Sequence, residues 1–100
     1  MSSKFDREST LDILRSLKAE LGDRYQVTKI GIFGSVARDE ATNKSDIDIV
    51  VEMEPDMLKR ISLKQELEEM FQTSVDVVRY RSNMNPYLKS QIEQEAIYVE

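Results

Sequence analysis

One hundred residues suffice for one small domain with a single core and leave little room for a separate substrate-binding lobe, so a partner protein or a second copy of the chain is expected to complete any site. The chain has no cysteine and no histidine, which excludes disulfides, a thiol nucleophile, histidine base catalysis and ordinary zinc ligation, and leaves acid–base work to carboxylates. A formal net charge of −5, from 19 acids against 14 bases, disfavours nonspecific binding to a nucleic-acid backbone but permits a nucleotide bound through Mg²⁺.

Residues 1–8 lack the apolar stretch of a signal peptide, and no apolar run approaches the ~20 residues of a membrane span. A cytoplasmic protein without membrane attachment is expected. From about Arg7 to Leu21 the chain reads as a helix, with Leu11, Leu14, Leu17 and Leu21 at helical spacing on the core side and Gly22 as terminator. A strand follows within Tyr25 to Phe33, starting near Val27, in which Gly31 permits a close approach of another backbone or of ligand, or marks a simple bulge. Gly34 and Ser35 then turn into a short helix from about Val36. The polar stretch from Val36 to Ser45 suits the mouth of a site, and Arg38 and Lys44 within it are candidates for contacting phosphate or steadying acids. Solvated surface charge is the alternative for each, evenly balanced for Arg38 and favoured for Lys44.

A second strand runs from Asp46 to Glu52. Pro55 and Asp56 break the pattern. Leu63, Leu67, Met70 and Phe71 form one helical stripe while Leu58 and Ile61 fall off it, which predicts a break near Ser62. Ser62 and Gln65 match a capping box, so the firm helix is expected from about Leu63 to Phe71, with Met57 to Ile61 a turn or short separate helix. Leu58 and Ile61 are then either contact residues or, as the pattern modestly favours, packed under the preceding loop. A third strand holds Val75, Asp76, Val77 and Val78 and ends in the basic and aromatic patch Arg79, Tyr80 and Arg81. That patch could hold a nucleotide or a partner, although a structural tyrosine between two solvated arginines explains it better. Asn85 and Pro86 read as an N-cap and first helical residue, leading a helix with Leu88, Ile92 and Ala96 on one side. Ile97, Tyr98 and Val99 add a short edge strand. The whole is an α+β domain: a mixed sheet of three main strands, helices mostly on one face, and acids at the exposed end or face.

The chemistry lies in the acids. Strand side chains alternate between faces, so Asp46 and Asp48 share one face and Ile47 and Ile49 the other. If the Asp76 strand lies alongside, three carboxylates converge, and each like-charged pair about 4 Å apart repels by roughly 4 kcal/mol at an effective dielectric near 20. A cation is expected there. Hard divalent ions take oxygen ligands, and Mg²⁺ commonly uses a few carboxylates together with substrate phosphates; two such ions can clamp an in-line phosphoryl displacement. Gly34 and Ser35 place backbone N–H groups and a hydroxyl beside the acids as an anion site. Taken alone, a Gly-Ser pair is a common turn and an Asp-x-Asp often a solvated edge. An acid among valines at Asp76 tips the balance toward a site.

Gly34-Ser35, ten residues, Asp46-x-Asp48 and Asp76 on a later strand resemble the signature of the DNA polymerase beta-like nucleotidyltransferases. More narrowly, Phe33 to Arg38 and Ser45 to Glu52 resemble the minimal nucleotidyltransferases, the MNT-type antitoxins found beside HEPN-type toxins, with the likeness running from about Leu11 to the C-terminus. The chain departs from many relatives at Asp39, where they carry glycine; Asp tolerates a left-handed backbone better than most residues. The resemblance implies the minimal superfamily fold and a nucleotidyltransferase with ATP as donor. Asp46, Asp48 and Asp76 would be metal ligands, Asp76 would help deprotonate the attacking hydroxyl, and Gly34 and Ser35 would hold the triphosphate, with Arg38 as a further phosphate contact. It also implies AMP transfer to a tyrosine hydroxyl of a HEPN-type toxin. The alternatives are an antitoxin that neutralises its toxin by binding alone and a nucleotidyltransferase acting on a small molecule or an RNA end.

Overall fold

The computed structural model describes residues 6–41 and 46–100; Lys44, a candidate above, lies outside them. Helix α1 (Arg7–Tyr25) starts at Asp6, whose carboxylate accepts the Ser9 N–H at 2.8 Å in the usual manner of an acidic N-cap. Its four leucines, Leu11, Leu14, Leu17 and Leu21, are buried as the spacing requires. Gly22 does not end the helix. The chain runs on to Tyr25, and Gln26 supplies the left-handed residue (φ 55°) with its N–H on the Gly22 carbonyl.

Strand β1 (Lys29–Phe33) starts two residues later than Val27, which is buried outside the sheet. It leads into α2 (Gly34–Ala37), then β2 (Ile47–Glu52). Helix α3 (Met57–Phe71) is one continuous helix, and the break expected at Ser62 is absent. Asp56 caps it by accepting the Lys59 N–H at 3.0 Å, and Ser62 is an exposed residue in its interior. Leu63, Leu67 and Phe71 alone are buried; Leu58 and Ile61, 78% and 48% exposed, point to solvent and pack under no loop. An off-stripe apolar residue had looked like a change of helix axis, but it costs little simply to leave it in water.

Strand β3 (Val75–Arg79), α4 (Pro86–Glu95) and β4 (Ile97–Tyr98) complete the chain. Asn85 caps α4 through the N–H groups of Tyr87 and Leu88, with Pro86 at the first position, as expected. The sheet has four strands in the order β3-β2-β1-β4, the fourth being the short edge strand. β2 and β3 are parallel, joined across the sheet by α3, and the other pairs are antiparallel. Gly31 permits the close approach of β4: a side chain there would meet the Ile97 carbonyl oxygen at 2.5 Å, so this glycine serves another backbone and not a ligand.

Strand alternation divides the core in two. Ile30, Ile32, Ile47, Ile49, Val51 and Val75 face the layer of α1 and α3, where each fully buried Leu or Ile contributes roughly 1.5–3 kcal/mol. Phe33 and Val50 face the other way and pack with Ile92 of α4. Asp48 shares that second face with Val50, and Asp76 shares it with Val78. One ten-residue helix covers this face only in part, and the acids occupy the portion left open.

Candidate active site

Three strand ends build the site. The parallel register sets Asp48 of β2 opposite Asp76 of β3, on strands separated by about 4.8 Å. The antiparallel register sets Asp48 opposite Phe33 of β1, so the chain turns into α2 directly beside the Asp48 carboxylate. Gly34 makes that turn with a left-handed backbone, φ +74°. A Cβ on it would lie 2.2 Å from Asp48 Oδ2. Glycine is therefore required twice, for the backbone conformation and for the space the carboxylate occupies.

Asp48 is half-buried, whereas Asp46 and Asp76 are exposed. Burial, then the negative charges of Asp76 and Asp46, push the Asp48 carboxyl up to about 6, against the opposing pull of Arg38. The sequence had marked Asp76 as the costly acid among valines; the alternation puts it on the open face, and Asp48 is the one held under strain. A crowded carboxylate of this kind accepts a cation readily. Among the described residues no group of three or more acids is placed so as to hold a metal ion. Asp48 and Asp76, opposite each other across the parallel strand pair, are hard oxygen donors of the kind Mg²⁺ takes together with waters and substrate phosphates.

The anion side is arranged around the same turn. Phe33 precedes α2 and offers no capping side chain. Glu95 of α4 fills that role from 61 residues away: its Oε2 accepts the Gly34 N–H at 3.2 Å and its Oε1 accepts Arg38 Nη1 at 2.8 Å. Burial would raise the Glu95 pKa, but the hydrogen bonds from Arg38, Gln91 and Gly34 prevail and hold it below the usual carboxylate value. Arg38 also binds Glu40 through Nε at 3.1 Å, so the structure ties this candidate to two carboxylates beside the acids. The Ser35 hydroxyl makes no hydrogen bond among the described residues. Asp39 adopts the left-handed conformation (φ 60°) expected of it, and its Oδ1 accepts the Arg7 N–H at 3.2 Å, tying the turn to α1. Glu95 escaped the sequence reading because a helical Glu near a chain end carries no local signal of a distant partner. In the patch after β3, Tyr80 is structural, donating to Glu93 Oε2 at 2.8 Å, and Arg79 donates to the Met53 carbonyl at 3.3 Å.

An anion-binding turn packed against in-register carboxylates on a small mixed sheet is an arrangement suited to enzymes that move phosphoryl or nucleotidyl groups. The chain belongs to the nucleotidyltransferase domain family, whose model matches residues 14–99, and it is a nucleotidyltransferase with the minimal form of that fold. Protein adenylyltransferase MntA of Thermococcus cleftensis is 38% identical over 94 residues, which cover 92% of this chain and 94% of the relative. A solved structure provisionally named a minimal nucleotidyltransferase superposes with a TM-score of 0.74 at 37% identity, covering 92% of this chain and 94% of that one. A chain in a toxin–antitoxin crystal structure with AMP-PNP superposes with a TM-score of 0.69 at 25% identity, covering 84% of this chain and 70% of that one. No helix among the described residues is long and apolar enough to cross a membrane.

Proposed function

We propose that this protein is a Mg²⁺-dependent protein adenylyltransferase that moves AMP from ATP to a tyrosine hydroxyl of a HEPN-type toxin, and so acts as the antitoxin of the pair. The observation that carries the reading is the register: Asp48 faces Asp76 on one side and packs against Gly34 on the other. The name of the adenylyltransferase relative supports the donor, and the toxin–antitoxin complex with a nucleotide analogue supports the setting.

Asp46, Asp48 and Asp76 would hold Mg²⁺, two ions in all, and when bound these supply counter-charge to the triphosphate and to the oxygens whose charge changes. The Gly34 N–H and the Ser35 hydroxyl hold the phosphate tail. For that, a phosphate oxygen takes the place of Glu95 on the Gly34 N–H and beside Arg38. Asp76 stands on the far side of Asp48 from this turn, where it receives the proton of the acceptor hydroxyl. The hydroxyl oxygen bonds to the α-phosphorus, the bond to the leaving pyrophosphate breaks, and the two oxygens lie on opposite sides of the phosphorus as in-line displacement requires.

The test is intact-mass measurement of both chains after incubation of the protein with labelled ATP and Mg²⁺, with and without the candidate toxin. One or more AMP additions on the toxin, lost in Asp48→Ala, are expected. A toxin silenced by stoichiometric complex formation with no mass gain would replace the transferase by an occluding antitoxin.

A further inference from the structure

Arginine pairing in this chain is uneven. Arg7, Arg15, Arg24 and Arg38 each form an ion pair with a carboxylate. Among the described residues Arg60, Arg79 and Arg81 do not, although acids outnumber bases in the chain as a whole. These three, with Lys64, line a single groove of about 570 Å³ between α3 and α4. Its floor is apolar, made by Val77, Val78 and Leu88, and none of its lining residues is acidic. A neighbouring hollow shares Arg60, Arg79 and Arg81 and includes one acid, Asp56, whose carboxylate is engaged as the N-cap of α3. A groove lined by several cations and by no acid favours an anionic ligand.

The groove also follows a free sheet edge. β3 is the outermost strand and pairs only with β2. The Ile47 N–H donates to the Ser74 carbonyl and the Tyr80 N–H to the Val51 carbonyl, so the even-numbered residues of β3 bond inward, toward β2. Val75, Val77 and Arg79 therefore direct their N–H and C=O groups outward. The Val75 N–H is taken by Glu68 at 3.1 Å, which agrees with this alternation and leaves Val77 and Arg79 to offer a template for another strand. From Val77 to Arg79, where β3 ends, the edge spans about 7 Å, with Arg81 just beyond it, and its near end adjoins Asp76, where the acceptor hydroxyl is required. The phosphate turn at Gly34 lies on the opposite side of β2.

We propose that the basic groove along the free edge of β3 is the acceptor-docking surface, and that it takes an extended acidic segment of the acceptor protein as an added strand, with the reactive hydroxyl at the Asp76 end. This rests on the protein adenylyltransferase reading above. The apolar floor, with exposed Ile61 in the groove and exposed Met57 in the neighbouring hollow, fits alternating polypeptide side chains, and the net charge of −5 opposes a long polynucleotide.

The probe is a fluorescein-labelled Glu-rich decapeptide with one tyrosine, titrated by anisotropy against a neutral decapeptide of the same length, an alternately N-methylated acidic peptide and a ten-nucleotide uridine RNA. The acidic peptide is expected to bind at least tenfold more tightly than each of the other three, because the methylated chain lacks the donors that a strand needs. Lys64→Glu and Arg81→Glu, both at exposed positions, should each weaken it about tenfold and raise the KM for the protein acceptor while leaving the KM for ATP unchanged. Equal binding of acidic and neutral peptides, preference for RNA, or unaltered acceptor KM in both variants overturns the proposal. A wild-type protein that binds the acidic peptide in a Lys64- and Arg81-dependent way but labels no acceptor with AMP overturns the adenylyltransferase reading instead, so the two failures are told apart.

Discussion

The two ends of the β2–β3 pair carry opposite unbalanced charge. At one end Asp46, Asp48 and Asp76 crowd together and Asp48 is pushed up to about 6 by burial and by its acidic neighbours. At the other, Arg60, Lys64, Arg79 and Arg81 face a groove without a carboxylate in its lining. Elsewhere the same chain disperses its charges into ordinary surface pairs such as Arg15 with Asp12 and Arg24 with Glu20 and Glu66, each worth little to stability. Stability alone would have mixed the two clusters. Keeping them apart leaves each in need of something from outside the chain, a cation at one end and an anion at the other.

The acidic end should give the largest effect. Asp76→Asn keeps the side chain's shape on an exposed strand position and removes the charge that repels Asp48, so AMP transfer is expected to fall roughly 10²- to 10⁴-fold with the urea midpoint not lowered. A fully active Asp76→Asn enzyme would falsify the proton-accepting role. Next comes the turn that joins the acids to the phosphate side. Gly34→Ala forces a side chain into a left-handed residue, costing about 1–2 kcal/mol, and into the Asp48 carboxylate. Calorimetry should show melting lowered by several degrees together with loss of transfer, and an unaffected Tm would mean that the turn relaxes.

The smallest effect is a matter of pH. The native Asp48 pKa of about 6 lies above its unfolded value of 3.8, so the folded state binds the proton more tightly. Its contribution is most favourable below the unfolded pKa, declines as pH rises from about 4 to 6, and is fully lost above the folded pKa. For a half-buried group, solvent screening reduces that decline to about 1 kcal/mol. Urea unfolding at pH 4.5 and 7.5 should show the decline in the wild type and not in Asp48→Asn. Equal pH dependence of the two proteins would place the strain elsewhere.

Much of the acidic end was legible in the sequence because its determinants are local. Alternation along Asp46 to Val51 assigns the faces, and Gly34 is the one residue type that satisfies both the turn and the space below Asp48. The same locality made Asn85 and Pro86 readable as the start of α4. The basic end was only half visible, as Arg79, Tyr80 and Arg81. Its other half, Arg60 and Lys64, is delivered by α3, whose placement depends on packing of Leu63, Leu67 and Phe71. Glu95 was hidden for the same reason, its partners Gly34 and Arg38 being far away along the chain. Gly22 and Ser62 misled in the opposite way. Each carries a sound local signal for a helix boundary, and each is overruled by a neighbour that does the job better: Gln26 by ending α1, Asp56 by starting α3.

Parallel pairing has a temporal consequence. A hairpin could bring two carboxylates together early, through a short turn, but Asp48 and Asp76 meet only after α3 has crossed the sheet and docked. Such non-local closure is slow relative to hairpin formation. A chain emerging from synthesis, or one whose crossover helix has come loose, therefore has no Asp48–Asp76 pair to offer. The acidic centre exists only in the finished molecule, and its formation serves as an internal report that folding is complete.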